Sequence, residues 1–124
     1  MKRIIIADDS TTARMFIKRC LQIIGLGDVE IIEAEHGKEA LAAAKTQDVD
    51  LLLTDLNMPV MDGETLIKWV KASPKLGDLP VVVITSAGNP AKEAQLLELG
   101  AHRVLNKPVS PPAMMDALAD FLED

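Results

Sequence analysis

The sequence predicts an α/β fold in which a single five-stranded parallel sheet is doubly wound, with helices on both faces. Five short apolar runs recur along the chain, and each is continuous rather than alternating, as in strands buried on both faces. Between them lie segments with apolar residues at helical spacing. Strand–helix alternation of this kind requires right-handed crossovers, and the commonest five-stranded order is 2-1-3-4-5.

The predicted strands are short, and the second carries charged residues. Glu30 and Glu33 indicate that the second strand is shorter than the first or lies nearer an edge of the sheet. The strands are predicted at residues 3–7, 29–34, 50–54, 81–84 and 103–106.

The first three helices follow from caps and apolar spacing. The first begins at Ser10 or Thr11 and stops at Gly25, and the next two span 37–45 and 64–72. The residues expected to face the core are Ala13, Phe16, Ile17, Cys20, Leu21 and Ile24, then Ala40, Leu41 and Ala44, then Leu66, Ile67 and Val70.

The last two helices open on a capping residue followed by proline. Asn89-Pro90 begins the fourth helix, which runs to Gly100, and Ser110-Pro111 begins the fifth, which continues to the end of the chain. The inward residues expected in the fifth helix are Met114, Ala117, Leu118 and Phe121.

Composition narrows the function classes. A chain of 124 residues without linker or repeat predicts one domain over residues 1–124. The net charge of −6 argues against a general nucleic-acid surface, and neither a signal peptide nor a membrane span is evident. Cys20 is the only cysteine and is expected to be buried. These features fit a cytoplasmic protein.

Polar residues follow four of the predicted strands. Asp8 and Asp9 follow the first strand, Asp55 the third, Thr85 the fourth and Lys107 the fifth. Each alone has a plainer interpretation, such as a helix cap or a solvated turn. Their shared position at the carboxyl ends of parallel strands, where ligands of such sheets bind, favours a functional site. The position of Asp55 suits a nucleophile or a metal ligand.

This set of groups predicts phosphoryl chemistry. Carboxylates a few ångströms apart repel each other by about 1 kcal/mol per pair in water, so the cluster either raises its own pKa values or binds a divalent cation. Hard oxygen ligands suit Mg²⁺. A hydroxyl (Thr85) and an ammonium (Lys107) beside the metal suit a transferring phosphoryl group, which Asp55 would attack to form an acyl phosphate.

The chain resembles the response-regulator receiver domain of two-component signalling over essentially its whole length. The resemblance implies a flavodoxin-like fold and no turnover of an external substrate, and the chain fits a stand-alone regulator of the chemotaxis type. The matching segments are Asp8-Asp9, Thr54-Asp55-Leu56-Asn57-Met58-Pro59 with Met61-Asp62-Gly63, Thr85-Ser86 and Lys107-Pro108.

The resemblance also implies roles for the site residues. Asp55 accepts the phosphoryl group from a phosphohistidine on a histidine kinase or phosphotransfer protein. Mg²⁺ is bound directly by Asp9, Asp55 and the backbone carbonyl of Asn57, while Asp8 acts through a water molecule. Thr85 and Lys107 hold the phosphoryl oxygens, and the Lys107-Pro108 peptide bond is cis.

One residue departs from the family pattern. Members with a clear switch have an aromatic residue three positions before the lysine, where this chain has Val104. Two hypotheses remain: a phosphorylation switch with a smaller packing change, or a relay carrier that needs no large switch. The expected partner surface combines the fourth helix, the fifth strand and the fifth helix. Its candidate exposed residues are Ala91, Ala94, Leu96, Leu97, Leu99, Val104 and Met115.

Several alternatives stay open. The chain ends after the fifth helix and begins with Met1, which favours a natural single domain over a receiver fragment of a larger regulator. An aspartyl-phosphate phosphohydrolase is disfavoured because no cap or specificity segment is evident. A degenerate receiver that only binds partners is disfavoured by the complete set of acids. A nucleotide-binding role lacks the glycine-rich sequences it requires.

Overall fold

A computed structural model describes residues 1–122 of the chain. Strands and helices alternate as predicted. The elements are β1 (Arg3–Ala7), α1 (Thr11–Ile23), β2 (Glu30–Ala34), α2 (Gly37–Thr46), β3 (Leu51–Thr54), α3 (Gly63–Ala72), β4 (Val81–Thr85), α4 (Pro90–Leu99), β5 (Arg103–Asn106) and α5 (Pro111–Leu118), followed by a 3₁₀ turn at Ala119–Phe121.

The strands form one parallel sheet in the order β2-β1-β3-β4-β5, which confirms the predicted fold class and strand order. The three inner strands β1, β3 and β4 are buried almost throughout, because helices cover both of their faces. β2 lies at an edge, and its Glu30 and Glu33 are exposed, as the sequence indicated.

Two apolar layers enclose the sheet. Successive strand residues point to opposite faces, so Ile5 and Leu52 pack towards α2, α3 and α4, while Ile4 and Leu53 pack towards α1 and α5. Leu96 is the buried contact of α4 with the first layer. Within the described residues, none of the helices is both long enough and apolar enough to span a bilayer.

Each α-helix begins with a side-chain cap that accepts a backbone N–H three positions further on. The capping residues are Ser10, His36, Asp62, Asn89 and Ser110. Because every helix follows the carboxyl end of a strand, the helix N-termini all lie at the same rim of the sheet as the candidate site residues.

Two predictions were wrong, one about burial and one about a helix boundary. Phe16 is 48% exposed, because the buried stripe of α1 runs through Arg14, Ile17 and Leu21 and Phe16 is rotated about 100° from Ile17. Trp69, one residue off the inward stripe of α3, is 55% exposed. The fifth helix ends at Leu118, where the chain tightens into the 3₁₀ turn; residues 123–124 lie outside the described residues.

The helical surface near β5 is partly apolar, as expected. Leu97 on α4 and Met115 on α5 are each 43% exposed, and Val104 on β5 is partly buried. Leu96, which the sequence left open between core and surface, is fully buried.

Candidate functional site

The carboxyl ends of β1, β3 and β5 deliver three charged side chains to one cleft. Backbone pairing sets their positions: the Asp55 N–H donates to the carbonyl of Ala7 at 2.9 Å, and the Lys107 N–H to the carbonyl of Thr85 at 2.9 Å. The Asp8 side chain follows directly from β1. Residues separated by more than 50 positions in sequence thereby become neighbours.

Asp8, Asp9 and Asp55 form an acidic cluster. Each offers one carboxylate oxygen, and these three oxygens all lie within 4.8 Å of one another. Asp8 is 1% exposed and Asp55 8%, whereas Asp9 lies open to solvent at the mouth of the cleft. Oxygen donors at this spacing can converge on one hard divalent cation, so the donor set fits Mg²⁺.

Lys107 bridges the two buried carboxylates. Its Nζ lies 2.7 Å from Oδ2 of Asp8 and 2.9 Å from Oδ2 of Asp55. Burial acts to lower the pKa of the Lys107 ammonium group, but hydrogen bonds and charge attraction from Asp8 and Asp55 outweigh it and raise the pKa. Lys107 therefore stays charged and offsets the repulsion between the two acids.

The second oxygen of each buried acid is held by backbone. Oδ1 of Asp55 accepts the N–H of Leu56 at 2.6 Å, and Oδ1 of Asp8 accepts the N–H of Ser10 at 2.9 Å. Each carboxylate is thus fixed by one backbone donor and one ammonium. Both present Oδ2 to the cleft, where Lys107 lies.

The loop after Asp55 is held from both sides. A Cβ on Gly63 would lie 2.1 Å from the carbonyl oxygen of Asp55, so only glycine lets α3 begin so close to the phosphoacceptor candidate. On the other side, the Gly37 N–H donates to the carbonyl of Met61 at 2.8 Å. Val60 lies in this loop, just before Met61. It has a φ of 66° and is 74% exposed.

Thr85 and Asn57 lie at the rim as predicted, but outside the network of Lys107. Thr85 is fully buried, and its Oγ1 accepts the N–H of Ala87 at 3.1 Å, so its hydroxyl hydrogen is free to donate elsewhere. Asn57 follows Asp55 by two positions and is exposed. The Lys107-Pro108 peptide bond is cis, as the resemblance implied.

Sequence reasoning missed Arg14. It is only 7% exposed, and its guanidinium donates to the backbone carbonyl of Asp8, to Oε1 of Glu33 at 2.9 Å and to Oγ1 of Thr11 at 3.2 Å. The available signal was its place on the inward stripe of α1, three positions before Ile17. A charged residue at a core position requires partners, and one of them, the Asp8 carbonyl, belongs to the site.

The fold and the cleft together define a class of protein. Its members have a doubly wound parallel sheet, with an acidic site bridged by a lysine at the switch point between β1 and β3. The family model for the response regulator receiver domain matches residues 4–119, and the chain belongs to this family. The family is a signalling receiver domain and not a metabolic enzyme; its members generally bind Mg²⁺ and interact with histidine kinases and downstream targets.

Individual relatives agree. A chemotaxis protein CheY homolog of Campylobacter jejuni is 39% identical over 97% of this chain and 92% of its own. The structure of chemotaxis protein CheY4 of Vibrio cholerae has a TM-score of 0.84 at 31% identity, covering 98% of this chain and 99% of that one. The signal receiver domain of a histidine kinase from Syntrophus aciditrophicus has a TM-score of 0.83 at 29% identity, covering 98% and 90%. The predicted membership of the two-component, chemotaxis-type response regulators is confirmed.

Proposed function

We propose that this chain is a phosphoacceptor of a two-component system that takes a phosphoryl group onto Asp55 from a histidine kinase or phosphotransfer protein in a Mg²⁺-dependent reaction. The observation that carries the proposal is the contact of Lys107 with Oδ2 of both Asp55 and Asp8, at 2.9 and 2.7 Å. The Lys107 ammonium is attracted by the two carboxylates. When a phosphoryl group binds at Asp55, the same ammonium can pair with its negatively charged oxygens.

The chemistry is a single exchange of bonds at phosphorus. An oxygen of Asp55 attacks, the bond from phosphorus to the imidazole nitrogen of the donor breaks, and an acyl phosphate forms as the imidazole leaves. Lys107, already 2.9 Å from Asp55, pairs with a phosphoryl oxygen. Thr85 donates its hydroxyl hydrogen to another. Attack of water on the acyl phosphate releases inorganic phosphate and restores the Asp55 carboxylate, so the phosphorylated state is transient.

Asp9, Asp55 and the backbone carbonyl of Asn57 would hold Mg²⁺ directly, with Asp8 acting through water. The convergence of three carboxylate oxygens within 4.8 Å supports this assignment. When bound, the ion supplies positive charge that neutralises the acids and the incoming phosphoryl oxygens. Asp9 is the exposed member of the cluster and gives the ion access from solvent.

The output surface we propose is the face formed by α4, β5 and α5. Its exposed apolar residues Leu97 and Met115 and the partly buried Val104 offer a docking site for a downstream protein in the cytoplasm. As a chemotaxis-type regulator the chain would act as one domain over residues 1–124 and signal through this face. A relay carrier is the second candidate, favoured by Val104 in place of an aromatic residue and by the similarity to a receiver domain of a histidine kinase.

The decisive experiment is phosphorylation by a small donor. Incubation with Mg²⁺ and acetyl phosphate should add one phosphate by intact mass, and Asp55→Asn should prevent it. Asp62→Asn is the matched control, because it alters an exposed aspartate that caps α3 outside the cleft. Absence of any mass increase in the wild-type protein would contradict the proposal.

The choice between switch and relay needs a different measurement. For a switch, the phosphorylated protein should show changed amide hydrogen exchange in α4 and β5. For a relay carrier, these segments should stay unchanged while the phosphoryl group passes on to a histidine phosphotransfer protein.

A further inference from the structure

Arg14 is a strongly buried cation near the site that the phosphoryl chemistry above does not use. It lies on α1, one turn after the Asp8-Asp9 turn, and its guanidinium contacts three different partners. We propose that Arg14 is a positioning residue that sets the direction of the Asp9 carboxylate and thereby the affinity of the site for Mg²⁺. This inference rests on the proposed function.

Arg14 is hydrogen-bonded to the backbone at Asp8. One terminal nitrogen of Arg14 donates to the carbonyl oxygen of Asp8, and this contact is buried. That carbonyl belongs to the peptide unit joining Asp8 to Asp9. Because the peptide unit is planar, fixing its oxygen also fixes its N–H and the direction in which the chain enters Asp9.

The side chains of Asp8 and Asp9 differ in how they are held. The Asp8 side chain is anchored twice, by the Ser10 N–H at 2.9 Å and by Lys107 at 2.7 Å. In the part of the chain that the structure describes, the Asp9 side chain has no such hydrogen bond and is exposed. The direction of the Asp9 side chain therefore depends on the backbone, which the Asp8 side chain holds from Ser10 and Arg14 holds from the Asp8 carbonyl.

The Arg14 side chain is itself held in place by Glu33 and Thr11. Its Nε donates to Oε1 of Glu33 on β2 at 2.9 Å, and Lys18 holds the other oxygen of Glu33 at 3.1 Å. A third contact, to Oγ1 of Thr11 at 3.2 Å, fixes the far end of the guanidinium. Because the planar guanidinium donates hydrogen bonds in three directions, the Arg14 side chain has little conformational freedom. A residue that positions a neighbouring group needs this rigidity.

Lysine cannot reproduce this arrangement. Its ammonium is a single point on a flexible stem, so it can keep the charge at position 14 but not hold Glu33, Thr11 and the Asp8 carbonyl together. The pair Arg14→Lys and Arg14→Met therefore separates a general charge effect from orientation.

The structure supplies a matched control at the opposite rim of the sheet. Arg3 also pairs with a glutamate of β2, Glu30 at 3.1 Å, and also donates to a backbone carbonyl, that of Asp48 at 2.9 Å. Arg3→Met removes similar contacts far from the acidic cluster. It should change stability without changing the metal site.

The experiment measures Mg²⁺ affinity by isothermal titration calorimetry on the full chain, with thermal unfolding of each variant recorded in chelator. Arg14→Met should weaken Mg²⁺ binding about tenfold, a loss typical of residues that orient metal ligands. Arg14→Lys should recover only part of that loss, and Arg3→Met should bind as the wild type does. In metal-free protein, the Asp9 and Ser10 amides should exchange faster in Arg14→Met.

Three outcomes overturn the inference. Wild-type affinity in Arg14→Met shows that its role is only structural, and full recovery in Arg14→Lys shows that the guanidinium's three contacts are not needed to orient Asp9. If Arg14→Met does not fold, Arg14→Lys decides by itself, since wild-type affinity there overturns the inference and weaker binding supports it. A wild-type protein that binds no Mg²⁺ overturns the proposed metal site and this inference together, whereas the first two outcomes leave the proposed function intact.

Discussion

Lys107 Nζ lies 2.9 Å from Oδ2 of Asp55, although 52 positions separate the two residues in sequence. The pairing of β3 with β4 and of β4 with β5 brings them together at one rim. In this arrangement the ammonium lies beside carboxylate oxygens of the proposed metal and phosphoryl site. The contact makes Lys107 both a support for the acids and a competitor for cations.

We expect Lys107→Met to bind Mg²⁺ more tightly than the wild type. A positive charge about 4 Å from any bound cation repels it by at least about 1 kcal/mol in water, so its removal should raise affinity roughly fivefold. The same variant should react more slowly with acetyl phosphate, because a partner for the phosphoryl oxygens is lost. Calorimetric titration and intact mass measure the two effects. Lys75→Met, a lysine that donates only to a carbonyl far from the cleft, is the control.

Gly63→Ala should severely destabilise the protein. The added Cβ would lie 2.1 Å from the carbonyl oxygen of Asp55, and both groups are backbone that cannot move without disturbing α3. We expect a loss of about 3 kcal/mol or more in the free energy of unfolding. Gly77→Ala is the matched control, since its nearest neighbour would be the carbonyl oxygen of Ser73 at 3.5 Å, an ordinary contact. Equal urea midpoints for the two variants would contradict this prediction.

Val60→Asn should stabilise the protein. A β-branched residue at a φ of 66° is strained, whereas asparagine tolerates this conformation, and the side chain is too exposed to lose much packing. The expected gain in the free energy of unfolding is about 1 kcal/mol. Val60→Gly should gain less, because glycine also gains freedom in the unfolded chain. A urea midpoint for Val60→Asn below that of the wild type would show that the strain is compensated elsewhere.

Asp62 should contribute to acid sensitivity. The N–H of Thr65 donates to its carboxylate at 2.8 Å and lowers the pKa of Asp62. A carboxylate with a lowered pKa contributes its full stability above its unfolded pKa of about 3.9 and loses it as the pH falls through the folded pKa. Asp62→Asn keeps the cap acceptor without titrating, so its stability should fall less steeply below pH ~4 than that of the wild type.

Asp62→Ala is the companion variant at neutral pH. Losing the cap of α3 should cost about 1 kcal/mol in the free energy of unfolding, while Asp62→Asn should cost little. Chemical denaturation at pH ~7 and at pH ~3.5 measures both effects, the pH values being chosen on either side of the usual aspartate pKa. Identical pH profiles for the wild type and Asp62→Asn would show that the lowered pKa has no role in stability.

Local patterns in the sequence determined the elements, their order and the rim at which the acids meet. Continuous apolar runs require burial on both faces, and a polar residue directly after such a run has to lie at a strand end; Asp8, Asp55, Thr85 and Lys107 were placed by this rule. The helix starts were predictable for the same reason, since a capping residue acts within three positions of itself.

Tertiary structure alone decided the exposure of Phe16 and Trp69, the partners of Arg14 and the strain at Val60. Helical spacing defines a stripe but not its width, which depends on how the neighbouring helix and sheet cover it, so Phe16 lies at the open edge of α1. Arg14 meets Glu33 and the Asp8 carbonyl only because α1 packs beside the end of β1 next to β2. Contacts between residues distant in sequence are set by the packing of whole elements, and no local pattern encodes them.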